Sequence, residues 1–397
     1  MTDANPPIDL ESIPEAESGR HASNLELFLD LVFVFAITQI TGMFAHHMTW
    51  QGALESILMA WLAWWLWTAF TWAGTTIDLD GQPRTRVFVL AMIPALLLVV
   101  SVIPYALTTQ GPWFAIGYAV VQLWVLALQG SVAWPVDKTR AAFLKYAPGA
   151  AIGPIVLVIG GFMAPSIRVW VWALVALITI YSSIAAGEGD GEWDLDPVHF
   201  AERHSLFVII SLGEVLVAIG ANVAATAGDS GLDLATLGAL AVATAGAGTL
   251  WWCYFAYVPR VTELALHEAS KRDRGSVARD VFSFGHFPLI LGIIGYAVVA
   301  KHVVQHPGGH IELADRAVLA ASVLLFVGGL LAFQWRIGRR LARERLIAIA
   351  VVVALAALGG PLPGMLVLAA VVSVLAVMSI VTWRSFMRTE YGRRLFG

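Results

Sequence analysis

Apolar runs of about 20 residues recur along this chain, and nearly all of its charge falls in the gaps between them. A helix of that length crosses the hydrocarbon core of a bilayer, and lipid admits only helices and closed barrels as spanning structures. The alternation of a strand is absent, so the runs read as helices. Composition agrees: 58% of the 397 residues are hydrophobic and 13% are charged, where soluble domains carry about 25%. Too little charge is present to cover a soluble surface, and the fold class read from the sequence is an all-α polytopic membrane protein. The one cysteine, Cys253, excludes a disulfide framework and a cysteine metal site. A net charge of −4 gives no basis for nucleic-acid binding.

Punctuation by Pro, Gly and charged residues divides the chain into about 12 transmembrane helices. They fall near 25–46, 52–77, 86–108, 113–134, 144–164, 167–187, 200–226, 233–258, 281–304, 315–335, 344–360 and 363–384. The fifth is interrupted by Pro148, Gly149, Gly153 and Pro154, and Gly359-Gly360-Pro361 joins the last two as a tight hairpin. With this count, 21 of the 24 Lys and Arg lie on one side, leaving Arg168, Lys301 and Arg316 on the other. The positive-inside rule then places both termini in the cytoplasm and meets anionic lipid with the basic clusters there. Residues 1–24 read as a disordered cytoplasmic tail without a cleavable signal, and 385–397 as a basic cytoplasmic tail. The segment 259–279 is longer than a turn requires and reads as interfacial.

The chain also reads as two parallel six-helix repeats, 25–187 and 188–384. Trp64-Trp65-Leu66-Trp67-Thr68-Ala69-Phe70 is echoed by Trp251-Trp252-Cys253-Tyr254-Phe255-Ala256-Tyr257. Val87-Phe88 stands before Pro94 as Val281-Phe282 stands before Pro288. Six helices separate the matched elements, so the halves share one orientation.

Charges inside spanning helices are costly and by default face the bundle interior. In the first helix Glu26 and Asp30 are four residues apart on one face, with Asp30 about 7–8 Å past the helix start, and Thr38 and Gln39 follow. The seventh helix carries His199, Glu202, Arg203 and His204 at its mouth and Glu214 near its middle, where no basic residue is read at comparable depth. The ninth brings Asp280 and His286. Together Glu26, Asp30, Gln39, Glu202, Arg203, Glu214, Asp280 and His286 read as ion-binding, substrate-binding or gating residues of a cytoplasmic vestibule leading to a midplane acid. The alternative is a purely architectural network in which Arg203 neutralises its acidic neighbours. His199, Glu202 and His204 lack the spacing of a zinc motif, and no catalytic residue, metal or cofactor is assigned. The Trp-rich second helix reads as core packing, or failing that as an aromatic cavity wall.

The string Glu26-Leu-Phe-Leu-Asp30-Leu-Val-Phe-Val-Phe-Ala36, with Glu202-Arg203-His204, Leu212-Gly213-Glu214, Trp251-Trp252 and Phe282 to Pro288, resembles the bacterial low-temperature-requirement protein A family over about residues 22–384. That resemblance implies a bacterial inner-membrane protein linked to growth in the cold, and supplies no reaction. Phe28 to Phe33 is also similar to the first-helix motif of potassium channels built from six-helix repeats, with Leu29 in place of its serine. Four readings stay open. The leading one is a secondary transporter coupled to a proton or monovalent cation through Glu214. The others are a cation channel gated by apolar rings such as Phe33 or Phe35, a membrane-embedded lipid-acting enzyme, and a scaffold without turnover. The oligomeric state is not set by the sequence.

Overall fold

The computed structural model describes residues 19–77, 79–186, 193, 195–226, 232–339, 341–389, 392–393 and 395. Most of the first tail therefore lies outside the described residues; 19–23 run without regular structure into the first helix. The described residues are helical, with one isolated bridge between His310 and Pro363 and no strand.

In order, the long helices of the first half are α1 (Asn24–His46), α2 (Trp50–Thr76), α6 (Gly111–Ala133), α7 (Asp137–Gly161) and α8 (Pro165–Ala186), with α3 (Pro83–Leu90) and α4 (Ile93–Ser101) together forming the third membrane-length stretch and α5 (Ile103–Ala106) following it. The second half holds α9 (Pro197–Thr226), α10 (Leu234–Phe255), two short helices α11 (Val258–Glu268) and α12 (Lys271–Val277), a π-helical segment Ala278–Phe284, and then α13 (His286–Gln305), α14 (Leu313–Gly338), α15 (Arg343–Leu358) and α16 (Gly364–Arg388). Among the described residues, eleven stretches are long and apolar enough to cross a membrane. The run read as an eleventh crossing forms α15, whose 16 residues span about 24 Å, short of the roughly 30 Å of hydrocarbon. The segment read as interfacial is α11, α12 and the start of the π-helix.

Two elements differ from the sequence reading. The third crossing is broken before Pro94 and Pro104, because each proline lacks the N–H that would continue the preceding turn. The fifth keeps its helix through Pro148 and Pro154. There, small residues let α7 lie directly on α8: a Cβ on Gly149 would strike Ser182, and one on Gly160 would strike Trp172. The indole of Trp172 donates to Leu157 O at 2.9 Å. Packing of this kind holds a helix that local propensity alone would interrupt.

Each half closes on itself. In the first, α1 packs on α2, α2 on α8, α8 on α7, α7 on α6, α6 on α4 and α4 on α1. In the second, the same order runs α9, α10, α16, α15, α14, α13 and back to α9. The halves meet where α1 and α2 pack against α9 and α13, and α2 and the π-helix–α13 region are the most enclosed spans.

Candidate functional site

The seam between the halves is where the polar side chains of the sequence converge. Ser23 begins α1 with a capping box: its hydroxyl accepts from Glu26 N, and the Glu26 carboxylate accepts from Ser23 N at 2.9 Å. Glu26 is thereby pinned at the positive end of the helix. Its carboxylate also accepts from His199 Nε2 at 3.0 and 3.1 Å, tying α1 to α9. Gly74 on α2 leaves room for it, since a Cβ there would meet the Glu26 carboxylate.

One turn further along α1, Asp30 has no exposed surface, and neither does Arg203. Arg203 meets it with a two-pronged pair, Nη1 to Oδ2 at 2.5 Å and Nη2 to Oδ1 at 2.7 Å, and Trp67 Nε1 donates to Oδ1 at 2.9 Å. The guanidinium lies over the Trp67 ring at 5.7 Å, and its Nε is 3.8 Å from Glu26 Oε1. Two acids are thus matched by one arginine and one histidine, which joins α1, α2 and α9.

Beside this network sit two buried histidines. His204 Nδ1 donates to Phe200 O at 2.8 Å, and His286 Nδ1 donates to Val281 O at 3.0 Å. Both backbone bonds fix the proton on Nδ1 and leave Nε2 as an acceptor. His286 Nε2 receives the Tyr254 hydroxyl at 2.7 Å, while His204 Nε2 has no partner among the described residues. The two rings are 5.1 Å apart, and Trp67 and Phe282 pack on His204 at 5.0 and 5.1 Å.

Glu214 lies ten residues beyond His204, about 15 Å along α9, and is 3% exposed. Thr38 Oγ1 on α1 is 2.5 Å from its Oε2 and 3.1 Å from Val34 O. Lys301 on α13 lies within electrostatic range of Glu214, so a basic residue does stand near that depth.

The remaining residues of the expected vestibule lie elsewhere. Glu202 follows the outer face of α9, 100° around the helix from Arg203, and accepts from Ala22 N at 2.8 Å and from His21 at 3.2 Å. Asp280, in the π-helix, pairs with Arg279 at 2.7 Å and Arg336 at 3.0 Å. Gln39 is half-buried on α1. Phe33 is buried edge-on to Phe70 at 6.3 Å, whereas Phe35 is 36% exposed on the bundle surface. Trp67, Tyr254 and Thr38 enter the site from positions that a sequence reading assigns to packing or leaves without a role. The tryptophans of α2 do more than fill space: Trp64 and Trp72 both hydrogen-bond Ser283, at 2.7 and 2.9 Å, and hold the π-helix. Among the described residues, no three of His, Cys, Asp and Glu form a metal-binding group.

No solved structure matches the chain. A protein of Rhizobium meliloti (strain 1021), named only as "Uncharacterized protein RA0937", is 28% identical over 296 residues, covering 72% of this chain and 70% of that protein. Residues 21–380 match the family described as Bacterial low temperature requirement A protein, a range that contains every residue of the α1–α9 seam. By that match the chain is a multi-pass membrane protein of the bacterial low temperature requirement A (LtrA) family.

Proposed function

We propose that the protein is an ion-coupled secondary transporter in the bacterial inner membrane, with Glu214 as the carboxylate that takes up the coupling proton or monovalent cation. The supporting observation is the Glu214–Thr38 contact. Thr38 has a single hydroxyl proton and two acceptors in reach, Glu214 Oε2 and Val34 O. An ionised Glu214 draws that proton to itself. A protonated Glu214 donates to Thr38 Oγ1 and frees the hydroxyl to donate to Val34. The occupancy of one carboxylate is thereby written into the hydrogen bonding of α1, across the seam between the halves. Glu26 and Asp30 are matched by His199 and Arg203 and serve as the clamp that keeps the seam together on the arginine-rich side. The charge asymmetry of the loops supports an arrangement with both termini in the cytoplasm. The shared neighbour order of the two helix rings supports a tandem duplication, with binding at the interface of the repeats.

Purified protein in proteoliposomes under an imposed pH or potassium gradient tests the reading. Saturable dissipation is expected from the native chain and is lost in Glu214→Gln, with the variant still folded. Flux that does not saturate and follows voltage would assign a channel instead. No flux from folded native protein, toward either ion, overturns the proposal.

A further inference from the structure

The second half contains a buried cation that no acid meets among the described residues. Arg345, in the first turn of α15, is 3% exposed. Its Nη1 donates to Leu330 O at 2.8 Å and its Nη2 to the Tyr257 hydroxyl. The Nε–H has no acceptor, and among the described residues no carboxylate comes within 4.0 Å of the guanidinium nitrogens. The other two buried arginines show what satisfaction requires. Arg203 has Asp30. Arg168 turns Nε, Nη1 and Nη2 onto the carbonyls of Ala106, Thr108, Gly160, Gly161 and Met163. Arg345 has one carbonyl and one phenol, and a guanidinium taken out of water calls for an anion to complete it.

A second residue with an unused donor lines the same recess. Thr382 on α16 is 8% exposed and its hydroxyl has no partner among the described residues. It lines a small recess together with Arg345, Tyr257, Ser379 and Trp252. The recess measures about 10 Å³, room for about one water-sized atom. An anionic oxygen fits there and a whole oxyanion does not, so the rest of the group would lie outside, against Trp252, which is 48% exposed on the bundle surface. Arg343 at the start of α15 and Arg384 and Arg388 at the end of α16 are exposed at this same end of the bundle. They concentrate anions at the entrance.

We infer that this recess binds one oxygen of a phosphate group, with Arg345 Nε and Thr382 Oγ1 donating to it. The phosphate is supplied by the diester of an anionic phospholipid or by the free ion.

The full chain, purified and placed in nanodiscs of phosphatidylglycerol and phosphatidylcholine, is released into a native mass spectrometer. In parallel, delipidated protein in detergent is melted with and without inorganic phosphate. The native chain retains one phosphatidylglycerol under activation that strips phosphatidylcholine, and Thr382→Val weakens that retention roughly tenfold, the effect of one charge-assisted hydrogen bond. Arg345→Met abolishes it. Should Arg345→Met fail to fold, Thr382→Val, which keeps the buried cation, carries the test. A phosphate-dependent rise in melting temperature that Thr382→Val removes, without lipid retention, assigns the site to the free ion. Equal retention of both lipids, or retention and phosphate response unchanged by Thr382→Val, overturns the inference.

Discussion

Replacing Arg203 by leucine strips Asp30 of its cation in a place that water does not reach. Three hydrogen bonds converge on that carboxylate; two come from Arg203, and Trp67 alone remains after the substitution. A buried ion deprived of its partner costs about 3–5 kcal/mol, and Arg203→Leu is placed at about 4 kcal/mol. Asp30→Ala is milder, about 3 kcal/mol, because Arg203 keeps the Trp67 ring at 5.7 Å and Glu26 at 3.8 Å. Removing both charges together leaves only a partly filled space and an indole N–H without its acceptor, about 2 kcal/mol in all. The double variant Asp30→Ala, Arg203→Leu is therefore more stable than either single one. Reversible unfolding by increasing dodecyl sulfate fraction, followed by far-ultraviolet circular dichroism, measures all four corners of this cycle. Single costs that add to within about 0.5 kcal/mol would refute the clamp, since independent sites behave that way.

Three further outcomes follow from contacts outside the clamp. Gly292→Ala brings a Cβ to 2.6 Å from the Ser322 carbonyl on α14, where only backbone movement relieves it, and should lower the melting midpoint by the equivalent of about 1–3 kcal/mol; Gly328→Ala, with nothing within 4 Å, should not. Arg168→Lys should lower the same midpoint almost as far as Arg168→Leu, because a point charge does not reproduce a fork directed at five carbonyls. Asp233, which caps α10 outside the spans, is held below the usual carboxylate range by its bonds from Thr236. A depressed folded value means that the cap's contribution is present above the ordinary aspartate range and is lost as pH falls through it. The protection factor of the Thr236 amide, its exchange rate compared with that of the free amide at the same pH, should fall on acidification in the native chain, and Asp233→Asn should abolish that fall.

The helices were legible because lipid punishes misplaced charge: 58% hydrophobic residues and clumped arginines leave few ways to thread the chain. Their internal breaks were not. Pro94 and Pro148 look alike in sequence, yet one ends a helix and the other does not, because Gly149 and Gly160 give α7 a partner close enough to hold it. At the seam, the i,i+4 pairing of Glu26 and Asp30 pointed to a need for cations, and Arg203 and His199 stand opposite them. Spacing along one helix does not reveal which neighbour supplies a hydrogen bond from another. Trp67 and Tyr254 were hidden for that reason, as amphipathic residues in apolar runs, and Thr38 was visible on α1 without its partner Glu214. Glu202 adjoins Arg203 in sequence and Asp280 stands just before His286, but helical rotation turns Glu202 onto the chain before α1, and Arg336 pairs with Asp280.

The five carbonyls around Arg168 bear on how the connections at one end of the first half are held together. Three of them, Gly160, Gly161 and Met163, precede Arg168 by only five to eight residues, at the tip of the α7–α8 hairpin. The other two, Ala106 and Thr108, lie at the end of α5 and just beyond it, so a single side chain reaches two separate connections. One guanidinium thus staples the α7–α8 turn to the chain leading into α6, and losing it frees both connections at once.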